Sequence, residues 1–211
     1  MNELSVAALL RREAFTLSIE LTVAPGEVVG LVGDIGGGKS TVLDAVAGVL
    51  RIEEGRIEGS GRVWDEPAAG VWVPPEHRSV SYLRQRPELV HEVSAVDQVV
   101  AAMANGNGAV HTTKREAMGL LEDLGVHPGV AGRPGWTLSG GEAQRVALAI
   151  ALAGRSSIIL LDDPFGAIDT RGGVAVRRWL ADRLARRGRT TIVACADPAD
   201  TRHLADRVIE L

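Results

Sequence analysis

Gly33-Asp34-Ile35-Gly36-Gly37-Gly38-Lys39-Ser40 fits the pattern G-x-x-x-x-G-K-[ST] at every fixed position. Glycines let a backbone wrap a phosphate without side-chain clashes and adopt positive φ angles. The Lys39 ammonium is a compact charge that can reach β- and γ-phosphates, and the Ser40 hydroxyl can ligate magnesium. The flanks agree. Val28-Val29-Gly30-Leu31-Val32 is a short apolar run that predicts a buried strand. Thr41-Val42-Leu43-Asp44-Ala45-Val46-Ala47 predicts the start of a helix. Strand, glycine loop and helix together aim backbone N–H groups and a positive helix end at a polyphosphate. A chance match has odds on the order of one per cent in a chain of this length. Of the 23 cationic residues only Lys39 and Lys114 are lysine, so a composition nearly free of lysine keeps one here.

Outward from the loop, Phe15 to Val23 alternates apolar and polar residues, as a half-exposed strand does, and Pro25-Gly26 turns the chain back. Gly70-Val71-Trp72-Val73 and Ser79-Val80-Ser81-Tyr82 read as short strands. Val96, Val99, Val100 and Met103 have helical spacing, as do Met118, Leu121 and Leu124; Asn105-Gly106-Asn107-Gly108 between them reads as a loop. Ser139 to Ala153 is helical again. Ser157 to Leu161 and Thr190 to Cys195 read as buried strands, separated by an Arg-rich helix from about Gly173 to Arg187. Strands alternating with helices predict an α/β fold with a largely parallel sheet, an antiparallel N-terminal part and a small helical insert.

Ile158-Ile159-Leu160-Leu161-Asp162-Asp163 is an apolar strand that ends in two acids. A carboxylate at the C-terminal edge of a parallel strand sits beside the nucleotide crevice. Asp162 there can hold magnesium, through water because that ion gives up its waters reluctantly.

Composition bounds the rest. A chain of 211 residues, 45% hydrophobic and 24% charged, suits one globular domain. A net charge of −4 offers no general attraction to nucleic acid. The single cysteine, Cys195, lies in an apolar run and reads as a buried inert thiol in a reducing compartment. No apolar stretch reaches the 18 residues a membrane span needs, and no secretion signal is read at the N-terminus.

Leu138-Ser139-Gly140-Gly141-Glu142-Ala143-Gln144-Arg145 reads first as a helix start, with Ser139 as N-cap and Glu142 completing a capping box. The same octapeptide resembles the signature sequence of the ATP-binding-cassette (ABC) family. It precedes the acidic strand at that family's usual distance. Gln85 resembles the family's glutamine-loop residue, Ala167-Ile168-Asp169 its aspartate loop, and Leu204 to Leu211 its closing strand. Val73-Pro74-Pro75-Glu76-His77-Arg78, Tyr82, Gln85, Leu89 and Val93-Ser94-Ala95-Val96 are most similar to importer ATPases of the molybdate, sulfate and polyamine group.

The resemblance implies a P-loop NTPase core in one nucleotide-binding domain over residues 1–211. The core would take residues 1–90 and 155–211, and a helical subdomain residues 91–154. It implies ATP and Mg2+ as cofactors. The nucleotide would be held by Gly33, Asp34, Ile35, Gly36, Gly37, Gly38, Lys39, Ser40 and Thr41. Magnesium would be held by Ser40, Gln85 and Asp162, and catalysis carried by Asp163 and Gln85. Ser139, Gly140, Gly141 and Glu142 would contact ATP held by a second cassette subunit, in a homo- or heterodimer, with Asp169 at the dimer contact. Membrane permease subunits are the other implied partners. The implied location is cytoplasmic, peripheral on the inner face of the cell membrane, with no nucleic-acid role.

Departures from the family pattern matter as much. Asp163 stands where the family carries a glutamate that activates water. Its carboxylate is about an ångström shorter in reach, and such a misplacement can cost on the order of 10²-fold in rate. Cys195-Ala196-Asp197-Pro198 replaces the family's Thr-His-Asp, so Ala196 stands at a degenerate switch position and cannot stabilise charge. His203, seven residues on, is read as an exposed helical residue. The family's adenine-stacking aromatic aligns near Leu10 to Arg12, ahead of the first strand; Arg11 or Arg12 could stack instead, while Phe15 is expected to pack in the core. Ile35 replaces a small polar residue. Together these predict intact phosphate binding and weak intrinsic hydrolysis, as in the defective half of an asymmetric pair. An ATP-dependent dimerising regulatory module is the alternative.

Overall fold

The computed structural model describes residues 3–12, 15–104, 110–168, 170–186 and 188–211. The predicted loop Asn105 to Gly108 and Asp169 lie outside them. In chain order the elements are β1 (Leu4–Arg12), β2 (Phe15–Val23), β3 (Val28–Val32), α1 (Lys39–Ala47), β4 (Glu54–Gly59), β5 (Arg62–Glu66), β6 (Val71–Trp72), β7 (Val80–Leu83), α2 (Ala95–Ala104), α3 (Val110–Asp123), α4 (Pro128–Ala131), α5 (Gly140–Ala153), β8 (Ile158–Asp162), α6 (Thr170–Ala185), β9 (Thr190–Ala194), α7 (Pro198–Leu204) and β10 (Arg207–Glu210).

The chain packs as two units. The first holds Met1–Tyr82, Ser156–Asp162 and Arg186–Leu211. One of its sheets has the strand order β10-β3-β9-β8-β7, with parallel pairing of β10 to β3, β3 to β9 and β9 to β8. All residues of β3, β8 and β9 are buried, which is why those segments read as continuous apolar runs. The other sheet, β2-β1-β4-β5-β6, is antiparallel. Its inward residues Leu4, Val6, Leu10, Leu21 and Ile57 share one core with Leu31, Val42, Leu43, Leu160 and Ile192.

Strand β1 lies where the sequence reading put the residues ahead of the first strand. It alternates in burial, with Leu4, Val6, Ala8 and Leu10 inward, but Ala7 and Leu9 make its outer face apolar too. The alternation is therefore invisible in polarity. The second unit holds Leu83–Arg155 and Asp163–Ala185, in which α2, α3 and α5 pack together. Helix α6 begins at Thr170, so Gly172 and Gly173, residues of low helix propensity, fall inside it rather than before it. No helix among the described residues is long and apolar enough to cross a membrane.

Candidate functional site

Strand β3 ends at Val32 and α1 starts at Lys39, so residues 33–38 form the connecting loop. Gly36 and Gly38 have φ of 83° and 97°, in the left-handed region that residues with a Cβ rarely enter. A Cβ at Gly38 would also lie 2.8 Å from Leu17 Cδ2 and 3.0 Å from the Phe15 ring. Gly38 caps α1 with no side-chain hydrogen bond, and the first turn contains no acidic residue. The positive end of the helix and its first N–H groups therefore meet no side-chain anion of their own turn. Space around Gly36 is open: a Cβ there meets nothing within 4 Å. Lys39 Nζ donates to Gly33 O at 2.7 Å and Asp34 O at 2.8 Å, which holds its ammonium over the loop. Ile35 at the crest is 97% exposed, Ser40 is half-buried and Thr41 buried. Donors, a cation and open space in one turn fit a polyphosphate.

Behind the loop, Arg78 fixes the far end of α1. The residue is 4% exposed. Nη1 donates to Ala45 O at 2.7 Å and Val46 O at 3.0 Å, Nε to Val73 O at 2.7 Å, and Nη2 to Trp64 O at 3.3 Å. The cation caps the helix's negative end. Burial pulls its pKa down to about 10, with buried Asp65 opposing, so it stays charged at neutral pH. Nothing in the local sequence pattern marks this residue as buried.

The parallel order β3-β9-β8 places three C-terminal ends side by side: the glycine loop after β3, Cys195-Ala196 after β9 and Asp162 closing β8. Ala196 thus falls between the loop and Asp162, exposed, with a methyl group as its side chain. Asp162 is 5% exposed. Among the described residues no three His, Cys, Asp or Glu side chains gather into a metal cage. The buried Asp162 carboxylate at this strand end suits magnesium, which is held by one or two carboxylates together with substrate phosphates. Cys195 is buried, and His203 stands exposed on α7.

Phe15 departs from its expected place. It is half-buried, lies outside the core cluster, and sets its ring edge against Gly38. Arg11 and Arg12 are committed to carboxylates, with Nε 2.9 Å from Glu53 and Nη1 3.1 Å from Asp44 respectively. Of the three residues considered for stacking, Phe15 is the one beside the phosphate loop.

In the second unit, Asp163 opens a turn with φ 48°, and its carboxylate folds over Gly166, where any Cβ would collide with it. A left-handed backbone favours Asp over Glu, because the short polar side chain bonds locally. Gln144 Nε2 donates to Asp163 O at 3.1 Å. Gln85 is exposed just beyond β7. The following segment is pinned by Gln98, which accepts from Val90 N at 2.9 Å and donates to Val90 O at 3.0 Å and Val93 O at 2.9 Å.

Ser139 N-caps α5 in a complete capping box. Its hydroxyl accepts from Glu142 N, while Glu142 Oε2 accepts from Ser139 N at 2.8 Å and Ser139 Oγ at 2.9 Å. Those bonds, chiefly the backbone one, hold the Glu142 carboxyl below its usual pKa, helped by Arg133 and Arg145. Ser139 and Gly140 are exposed, so this helix start faces solvent.

The ABC transporter family matches residues 17–166. A molybdenum import ATP-binding protein, ModC of Mycobacterium tuberculosis, is 35% identical over 199 residues, covering 92% of this chain and 54% of ModC. An Fe(3+) ions import ATP-binding protein, FbpC 2 of Rhodococcus jostii, is 38% identical over 202 residues, covering 96% and 55%. The chain spans about half the length of these curated relatives. Among solved structures, a dimeric bacterial ABC transporter cassette superposes with TM-score 0.83 at 23% identity, over 99% of this chain and 94% of that one. A phosphate loop built on β3 and α1, an acid closing β8, a capped signature helix and these matches agree: the chain belongs to the ABC transporter family.

Proposed function

We propose that the chain is the ATP-binding, energy-coupling subunit of an importer, folded as one nucleotide-binding domain. ATP-driven dimerisation with a second cassette would drive membrane permease subunits from the inner face of the membrane. The observation that carries this reading is the loop at residues 33–38, with two left-handed glycines, an uncompensated helix start and an ammonium poised over its carbonyls. Gly33 to Thr41 would hold the polyphosphate. Ser40, Asp162 and Gln85 would hold magnesium, which when bound neutralises charge on the phosphates. Ser139 to Glu142 would serve the partner's nucleotide, and Asp169 the contact between subunits. The cargo is proposed as molybdate or another oxyanion, in keeping with the relatives' names.

Hydrolysis is proposed to be slow. Asp163 is the remaining carboxylate for water activation. Its side chain is turned over Gly166, and Ala196 leaves the position between loop and acid without a polar side chain. The test is calorimetry with MgATP on wild type and Lys39→Ala. Binding by wild type with loss of at least about tenfold in affinity in the variant supports the reading. Equal behaviour of the two overturns it.

A further inference from the structure

Gln144 is 1% exposed, and it sits one turn into α5. Its amide N–H reaches the backbone oxygen of Asp163, whereas its amide oxygen has no hydrogen-bond partner. An unpaired buried acceptor is costly, and an apolar side chain of the same volume would avoid it. What an apolar side chain cannot supply is the bond to Asp163. A second close approach lies three residues earlier in α5. Gly141, in the first turn of α5, lies so close to Ala167 that a Cβ on it would be 3.0 Å from the Ala167 oxygen. The turn from Asp163 to Ala167 thus meets the start of α5 at both ends, through a hydrogen bond at Asp163 and a close approach at Ala167. Inside the turn, Gly166 N donates to the same Asp163 oxygen at 3.1 Å, and the Asp163 carboxylate lies over Gly166.

We propose that Gln144 is a positioning residue, which ties the left-handed Asp163 backbone to the signature helix so that α5 sets where the Asp163 carboxylate points. This rests on the ATPase reading above. Its consequence is that the acid of one nucleotide site is aimed by the helix whose start is offered to the other.

The experiment compares the full chain with Gln144→Leu, which fills the volume without a donor, and Gln144→Met, a more flexible filler should the first fold poorly. Amide hydrogen exchange without nucleotide is the first readout. A lost hydrogen bond is worth roughly tenfold in a local opening equilibrium. The Gly166 amide is therefore expected to exchange about tenfold faster, while amides in the middle of α5 keep their wild-type protection. The second readout is the split between MgATP affinity, expected within about twofold of wild type, and turnover, expected to fall about tenfold. Unchanged Gly166 exchange in both variants overturns the proposal, as does an equal loss of protection all along α5. If wild type shows no turnover, or Asp163→Asn leaves turnover unchanged, the catalytic reading of Asp163 fails separately, and the exchange measurement alone decides whether Gln144 anchors the turn.

Discussion

Replacing Arg78 with methionine keeps most of the side-chain volume and deletes a buried cation. Four backbone oxygens lose a donor, namely Ala45 and Val46 in the last turn of α1, Val73, and Trp64, although Ala45 O keeps Gly48 N and Trp64 O keeps Val73 N. Asp65, 0% exposed, loses its buried counter-charge. Removing one partner from a buried charge system costs about 3–5 kcal/mol. In a chain of this size each kcal/mol lowers Tm by about 2–4 °C, so a fall of roughly 10 °C is expected. Arg78→Lys keeps the charge but presents a point ammonium in place of a planar fork, and it should lose about half as much. Urea unfolding followed by far-UV circular dichroism measures the difference. The folded pKa of about 10 lies below the ordinary value for arginine. The unfolded chain therefore binds more protons than the folded one at this site only above about pH 10, and the burial penalty is constant below it. The gap between wild type and variant should stay flat from about pH 6 to 9. A methionine variant within about 1 kcal/mol of wild type would mean that those oxygens reach water on their own, and would refute the assignment of Arg78 as the clamp on α1.

Asp163→Glu with Ala196→His should raise turnover by about 10–100-fold, at a stability cost of about 1–2 kcal/mol for a longer side chain at φ 48°; steady-state kinetics with no gain would count against slow wild-type hydrolysis. Glu142 is held below its ordinary pKa of 4.5, so its cap is complete above that value and is lost as pH falls beneath it; acid titration of wild type against Glu142→Gln should show this extra acid sensitivity only in wild type. Gly38→Ala demands φ 97° and a Cβ 2.8 Å from Leu17 Cδ2, so MgATP affinity measured by calorimetry should fall at least about tenfold.

The phosphate loop was legible because its geometry demands particular residues: glycine at left-handed φ and a cation at a fixed offset. Strands β3, β8 and β9 were legible because burial on both faces leaves continuous apolar runs. Strand β1 was not, since Ala7 and Leu9 carry apolar side chains on its exposed face. Phe15 alternates correctly in polarity, but its position at the first residue of β2 brings it to the glycine loop, which only the strand pairing of Arg12 with Phe15 reveals. Arg78 looks like a surface residue until its carbonyl partners, distant in sequence, are brought to it. The departure at Asp163 was visible as a shortened side chain. That its backbone is left-handed, and that Gln144 bonds its oxygen, depends on dihedrals and tertiary contacts that no spacing encodes.

Ile35 leaves a sec-butyl group almost wholly in water at the crest of the loop. Burying such a group is worth about 1.5–3 kcal/mol, or roughly tenfold to a hundredfold in an association constant. Any surface that closes over this crest with apolar atoms gains that adhesion before a single phosphate is touched. A surface that brings a hydroxyl or carboxylate there forfeits it and must desolvate a polar atom besides. One residue thereby makes the crest choosy about its lid.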